Sequence, residues 1–239
     1  MFERKKYKKF ALTQLSGRWT VVVLVTLCAS IITGIFSLPD TLNLINSGYF
    51  SAVFSMDPDA VSEAAAAAAE SSSYLVSIIQ TVVSAILEVA SLNVYLKMSR
   101  SPEPVSFSAF LEGLNNWARA TLGMLWTLLW LFLWTCLLII PGIIKSLAYS
   151  QIFFVIAEYK EVSVTKALRI SMTITKGHKG ELFLMYLTFI GWDLLCLVTF
   201  GIANLWVQPY KYMTYTNAYH ALLKEAIEQG KISPEDLAE

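Results

Sequence analysis

TLGMLWTLLWLFLWTCLLII, residues 121–140, is a run of twenty residues without a single charged side chain. With a rise of about 1.5 Å per residue, a helix of this length extends for about 30 Å, the thickness of the hydrocarbon core of a bilayer. A helix that is apolar on every side must be surrounded by protein or by lipid. The stretch therefore predicts a membrane-spanning helix.

The rest of the chain contains further apolar segments of similar length. Of its 239 residues, 56% are hydrophobic and 15% are charged, whereas soluble proteins carry roughly a quarter charged residues. We predict an all-α, polytopic membrane protein with six transmembrane helices in three hairpins. The predicted spans are 19–38, 74–96, 121–140, 143–157, 182–200 and 202–222. The fourth of these is short, and the sixth is polar for a membrane span.

The lysine and arginine residues are sorted by region, and this sorting predicts the orientation in the membrane. All but Lys145 and Lys211 fall in the N-terminal segment, in the loop 97–119, in the loop 160–179 or in the tail. Six spans would bring these four segments to one side of the membrane. Because loops rich in lysine and arginine remain in the cytoplasm, we expect both termini there.

The loop 39–73 has the opposite character, with acidic residues and no lysine or arginine. We expect this acidic, alanine-rich loop to be extracytoplasmic. Asp57 as N-cap and Pro58 as first helical residue predict a short helix that continues through the alanine run 64–69. The predicted organisation is a single six-span membrane domain, residues 1–222, followed by a cytoplasmic tail, residues 223–239.

Two cytoplasmic loops predict short interfacial helices. Residues 105–114 carry large apolar side chains spaced three or four apart, and we expect that face to lie among the lipid headgroups. These side chains are Phe107, Phe110, Leu111 and Leu114. In the next cytoplasmic loop, Ser163 can cap a helix that begins at Val164, and Gly177 suits its C-terminal end.

Two motifs occur in the second half of the chain. The first is LIIPGIIKSLAYS, residues 138–150. The second is A-L-x2-S-M-x3-K-G-H-K, residues 167–179, followed by Leu182-Phe183 and by FIGW at 189–192. Both resemble the signature of an uncharacterised bacterial integral-membrane family, domain of unknown function 975. The resemblance runs over most of the chain, and the alanine-rich loop departs from it. It implies an integral protein of the bacterial cytoplasmic (inner) membrane and brings no catalytic residues with it.

Glu88 places a carboxylate in the middle of the second predicted span. Polar side chains recur on its face of the helix at spacings of three and four, at Ser77, Gln80, Ser84, Glu88, Ser91 and Tyr95. A polar stripe along a whole span faces protein or water, because lipid cannot hydrogen-bond to it. We therefore expect Glu88 to point into the helix bundle.

Asp193 and Lys211 bring two further charges into predicted spans. They lie on either side of one tight turn, at depths of about 12 and 15 Å, and this match predicts an ion pair. The sixth span adds a polar stripe that includes Asn204, Gln208 and Thr214. The predicted intramembrane polar cluster comprises Glu88, Asp193, Lys211, Gln80, Gln208 and Asn204.

Several roles remain open for this cluster. It could fix the register of the helices, carry a proton or an ion, or line a polar cavity for a lipid or a peptide. At the cytoplasmic surface, Lys176, His178 and Lys179 are predicted to contact anionic lipid headgroups of the bilayer. We expect no nucleic-acid partner, because the basic residues are scattered and lie next to the membrane.

The chain lacks the sequence signatures of common enzymes, with no HExxH, no phosphate loop and no GxGxxG. Cys28, Cys136 and Cys196 lie within predicted spans, which argues against a disulfide framework or a metal cluster. We therefore expect no cofactor, no metal and no catalytic activity. The sequence favours a membrane accessory or assembly protein with an unidentified membrane-protein partner. A small transporter or channel that uses the polar cluster is the alternative, and an intramembrane enzyme is the third possibility.

Overall fold

A computed structural model of the chain describes residues 2–71 and 73–237. The described residues form α-helices and one 3₁₀ helix, Pro234–Leu237, with no strand among them. The α-helices are α1 Arg4–Leu15, α2 Trp19–Asn46, α3 Tyr49–Ser55, α4 Pro58–Ser71, α5 Tyr74–Arg100, α6 Ser108–Leu114, α7 Trp117–Leu137, α8 Ile139–Tyr149, α9 Ile152–Glu158, α10 Val164–Ile174, α11 Lys179–Leu187, α12 Ile190–Val198 and α13 Asn204–Glu228.

The chain divides into two compact units. The larger unit consists of Met1–Leu27 and Ala85–Glu239, and the smaller unit is Cys28–Ser84. Helices α2 and α5 each contribute residues to both units, whereas α3 and α4 belong to the smaller unit alone. All of the helices from α6 onward belong to the larger unit.

Five helical segments are long and apolar enough to cross a membrane. They are Trp19–Asn46, Tyr74–Arg100, Trp117–Leu137, Ile139–Glu158 and Lys179–Val198. The predicted all-helical class is therefore confirmed, with five segments that could span a membrane. The sixth predicted span is not among the five segments.

Helix α13 contains the sixth predicted span and is too polar to count as a lipid-facing helix. Eleven of its 25 residues are nevertheless buried, including Tyr219 and Thr214 at 0% exposure. Helix α1 packs along it, and Asn217 donates a hydrogen bond to Gln14 Oε1 at 2.8 Å. Because protein covers so much of α13, this helix does not need the apolar surface that lipid would demand.

Side-chain caps start two helices at the predicted residues. Asp57 Oδ1 accepts hydrogen bonds from the amide groups of Asp59 and Ala60, at 3.0 and 3.4 Å, and Pro58 is the first residue of α4. Ser163 Oγ accepts from the amide of Lys166 at the start of α10. Both predicted helices are confirmed, because capping depends only on residues within one turn.

Helix α6 is shorter than predicted and packs against protein. Its Phe110 side chain is 2% exposed, whereas Leu111 is 53% exposed. Asn93 of α5 donates a hydrogen bond to the carbonyl oxygen of Ala109 at 2.7 Å. The expectation that Phe110 lies among lipid headgroups is therefore wrong, because α6 turns this side chain toward the protein.

Gly113 allows this close approach, and we expect Gly113→Ala to destabilise the protein by about 1–3 kcal/mol through overpacking. An added Cβ would lie 2.5 Å from Ala90 Cα and 2.9 Å from Ala90 O, and both atoms are backbone. Unfolding in detergent micelles would measure the change. Gly180→Ala in α11 is the matched control, because nothing lies within 4 Å of its added Cβ. A Gly113→Ala protein that unfolds no more easily than the control would contradict this packing.

The turn between α7 and α8 lies before Pro141 and Gly142, the two residues that separate the predicted spans 121–140 and 143–157. Leu138 alone separates the two helices, in an extended conformation, so Pro141 and Gly142 lie inside α8. A Cβ on Gly142 would lie 2.7 Å from Thr135 Oγ1. Glycine is therefore needed here for the close approach of the two helices.

Two of the cation-rich segments are joined to each other and to the end of α9. Arg18, next to the N-terminal helix, donates to the carbonyl oxygen of Ser101 at 2.8 Å. Arg100 forms an ion pair with Glu158, the last residue of α9. The N-terminal segment, the loop after α5 and the loop after α9 therefore meet.

The C-terminal tail joins the same group. His178 lies between two carboxylates, with its Nδ1 2.7 Å from Glu181 Oε2 and its Nε2 3.1 Å from Glu225 Oε1. Lys166 Nζ lies 3.6 Å from Asp236 Oδ1. All four segments in which the sequence concentrates lysine and arginine are thus linked by direct contacts within the larger unit.

Candidate intramembrane site

Asp193 and Lys211 form the ion pair that the matched depths predicted. Asp193 lies on α12, and Lys211 lies on α13 across the turn that contains Phe200 and Gly201. Both turn residues have positive φ, 50° and 84°, and this turn brings the two helices side by side. Lys211 Nζ donates to Asp193 Oδ1 at 2.6 Å. The two opposite charges therefore largely cancel each other.

Glu88, near the middle of α5, lies beside α13. Tyr212 donates a hydrogen bond from its hydroxyl to Glu88 Oε1 at 3.4 Å. The Tyr212 ring stacks on Tyr95, also on α5, with the ring centroids 5.7 Å apart. In the part of the chain that the structure describes, Glu88 has no cationic side chain as an ion-pair partner.

A cavity of about 430 Å³ brings four members of the predicted cluster together. Its lining includes Glu88, Asn204, Gln208 and Lys211. Asn204 donates to Gln208 Oε1 at 2.9 Å, one turn apart on α13. Asp193 reaches this site through its pair with Lys211.

The remaining lining residues are mainly aromatic and were not predicted as site residues. They are Ser150, Phe154, Tyr186, Tyr212 and Tyr215. The rings of Tyr186 and Tyr215 meet edge to face at 4.9 Å. The sequence did point to two of them. Tyr212 directly follows Lys211, and Tyr215 directly follows Thr214, both of which were noted as polar residues of the sixth predicted span.

The cavity lies where the fourth predicted span is interrupted. Helix α8 ends at Tyr149, and α9 begins at Ile152, so Ser150 and Gln151 break the helix. Ser171 of α10 bonds to both sides of the break. Its hydroxyl donates to the carbonyl oxygen of Ala148 at 2.7 Å and accepts from the amide of Gln151 at 3.2 Å. Irregular backbone among membrane helices is tolerated where protein or a cavity satisfies its polar groups.

The fifth predicted span is interrupted in a similar way. Thr188 and Phe189 separate α11 from α12, shortly after Tyr186 in the chain. Lys8 of α1 donates to the carbonyl oxygen of Thr188 at 3.4 Å, and its ammonium lies 4.0 Å from the centre of the Phe189 ring. A basic residue of the N-terminal segment therefore satisfies the backbone at this break.

Gln80 and His178 are not among the residues that line the cavity. Gln80 belongs to the smaller unit and is not among the lining residues. Both ring nitrogens of His178 are engaged by Glu181 and Glu225, so this side chain is held within the protein instead of reaching for lipid headgroups. Headgroup contacts of Lys176 and Lys179 stay a prediction.

The cluster does not have the composition of a metal site. Within residues 2–71 and 73–237, no three side chains of histidine, cysteine, aspartate or glutamate are grouped so that they could hold a metal ion. What the arrangement offers is one carboxylate, one neutralised ion pair, two amides and several aromatic rings. These groups are suited to bind a small polar molecule through hydrogen bonds and charge.

Residues 119–226 match the model of a family described as "Protein of unknown function (DUF975)". The resemblance predicted from the two motifs is confirmed. No curated protein and no solved structure matches the chain. Within the DUF975 match, the two motifs are joined directly, because Ser171 of the second motif bonds to Ala148 of the first. All of the cavity-lining residues except Glu88 lie within the DUF975 match.

Proposed function

We propose that this DUF975-like chain is a small, non-enzymatic transporter of the bacterial cytoplasmic membrane, with six membrane crossings and both termini in the cytoplasm. The single observation that carries the transport role is the polar cavity beside two interrupted helices. Discontinuous helices and a charged cavity among membrane spans are typical of substrate sites in transporters. The accessory or assembly role that the sequence favoured stays a prediction, since no contact in the structure bears on it.

The contacts among the cation-rich segments support six crossings. His178 precedes α11 and contacts Glu225 near the end of α13. If α11 and α12 together cross the membrane once, α13 must return across it for this contact to form. The buried surface of α13 explains how so polar a helix could cross. By the positive-inside rule, the shared side is the cytoplasm.

Cysteine labelling tests this topology. In a background with Cys28, Cys136 and Cys196 replaced by serine, Ser55→Cys is expected to react with a membrane-impermeant maleimide in intact cells. Ser101→Cys should react only after the cells are opened, because it lies in the cation-rich loop after α5. Labelling of both positions in intact cells would contradict the six-crossing topology.

Water access to the cavity tests the transport role. In the same cysteine-free background, Ser150→Cys should react with a small, water-soluble methanethiosulfonate reagent in proteoliposomes. Ala148→Cys is the matched control, because Ala148 is 2% exposed and lies on the preceding helix. A transporter should show reaction at position 150 from each side of the membrane, since a transported solute needs access to both. If Ser150→Cys reacts from neither side of the membrane, the proposal is overturned.

A further inference from the structure

The charge balance of the cavity determines which class of solute it can hold. Glu88 and Lys211 line the cavity, and Asp193 is paired with Lys211. Because Lys211 donates to Asp193 at 2.6 Å, the field of its ammonium is compensated nearby. With Glu88 ionised, the site holds one carboxylate in excess. An anionic solute would have to approach this carboxylate, whereas a cation would neutralise it.

The aromatic walls determine which kind of cation fits. Phe154, Tyr186, Tyr212 and Tyr215 line the same cavity as Glu88. The faces of such rings attract alkylammonium groups, and cages built from them recognise quaternary ammonium ligands. Divalent metal ions such as Ca²⁺ instead take several oxygen ligands, usually with carboxylates among them. The described part of the chain has no such group of carboxylates near Glu88.

The rings are held in place by contacts with one another. Tyr215 meets Tyr186 edge to face at 4.9 Å, and Phe154 stacks on the fully buried Tyr219 at 5.1 Å. Tyr212 is fixed between its stack on Tyr95 and its hydrogen bond to Glu88. A cage that exists before the ligand arrives loses little entropy on binding.

We infer that the cavity binds a small organic cation, an amine or a quaternary ammonium compound, with its nitrogen between the Glu88 carboxylate and the rings of Tyr186, Tyr212 and Tyr215. The volume of about 430 Å³ accommodates a compound of a few carbon atoms with one further polar group. The amide nitrogen of Asn204 donates a hydrogen bond to the amide oxygen of Gln208. Their remaining amide atoms can hydrogen-bond to that polar group. This inference rests on one part of the proposed function, namely that a solute can enter the cavity.

Binding of tetramethylammonium and of butylamine to the purified protein in nanodiscs tests the inference. Both probes should bind saturably, by calorimetry or by stabilisation against thermal unfolding, and butanol and butyrate should not. Glu88→Gln keeps the size of the side chain and removes its charge, so affinity for both cations should fall by about tenfold or more. Glu103→Gln is the matched control, because Glu103 is exposed in the loop after α5.

A second measurement leaves Glu88 unchanged. Tetramethylammonium should slow the reaction of Ser150→Cys with the methanethiosulfonate reagent, because both occupy one cavity. If Ser150→Cys reacts but neither cation binds or protects, the organic-cation assignment is wrong while the cavity stands. Binding that survives in Glu88→Gln would equally overturn it. If Ser150→Cys does not react at all, the proposed function itself fails.

Discussion

Arg100→Gln is expected to lower the free energy of unfolding by about 3–5 kcal/mol, which is the cost of leaving a buried carboxylate without its partner. The partner is Glu158, whose side chain is only 2% exposed, whereas that of Arg100 is 57% exposed. The second carboxylate oxygen of Glu158 is buried without a hydrogen-bond partner among the described residues. Arg100 is therefore the main group that compensates this charge.

The reciprocal change, in Glu158, should lower the free energy of unfolding clearly less than Arg100→Gln does. Glu158→Gln leaves the guanidinium of Arg100 without its carboxylate, but more than half of that side chain is already exposed. Water or lipid phosphate can solvate it there. The double variant Arg100→Gln/Glu158→Gln should accordingly be more stable than Arg100→Gln alone. Unfolding of all three proteins in the same detergent measures this asymmetry, and equal losses in the two single variants would contradict it.

A surface ion pair provides the control for these measurements. Lys97 and Glu112 also join α5 to a neighbouring helix, but their side chains are 44% and 50% exposed. Such pairs typically contribute about 0–1 kcal/mol, because water screens both charges. Lys97→Gln should therefore change stability far less than Arg100→Gln does.

Lys211→Met is expected to destabilise the protein by about 3 kcal/mol, because Asp193, although 51% exposed, is then left as an unpaired charge on a segment apolar enough to cross the membrane. Adding Asp193→Asn removes that charge. The double variant Lys211→Met/Asp193→Asn should therefore recover a large part of the lost stability. Thermal unfolding in detergent, with each variant compared with the parent protein, measures both effects. A double variant that melts no higher than Lys211→Met would show that the two residues are not coupled.

Lys145→Met is the matched control for this cycle. Lys145 also lies in a predicted span, but its ammonium is placed 4.4 Å from the centre of the Trp134 ring. Loss of a cation–π contact of this kind costs about 0.5–1 kcal/mol when it is exposed. A larger loss in Lys145→Met than in Lys211→Met would argue against the importance of the Asp193 pair.

The sequence predicted only part of the site, because some of its contacts join residues that lie far apart along the chain. Asp193 and Lys211 could be paired from the sequence because one tight turn separates their helices, so depth could be counted along the chain. Glu88 could be assigned to the bundle interior because its helix carries a polar stripe. Its contact with Tyr212 was missed, although Tyr212 directly follows Lys211, because α5 and α13 are far apart in sequence. The aromatic walls were missed for the same reason.

The sequence did not predict the two helix interruptions either. Residues 143–157 and 182–200 each predicted one continuous span, yet the helices break at Ser150–Gln151 and at Thr188–Phe189. No proline or glycine marks either break. Ser171 and Lys8 satisfy the backbone there from other helices, and a local pattern cannot indicate such distant partners.

The amino-acid sequence alone determined the helical class, the approximate positions of the apolar segments, the sorting of the cations and the capped starts of α4 and α10. Each of these depends on residues within one or two turns of each other, or on hydropathy summed along one segment. Only the tertiary structure decided that Phe110 turns inward, that Arg100 pairs with Glu158, and that a group of tyrosines lines the cavity shared by Glu88 and Lys211. Those outcomes depend on which helix faces join, and the joining helices lie far apart along the chain.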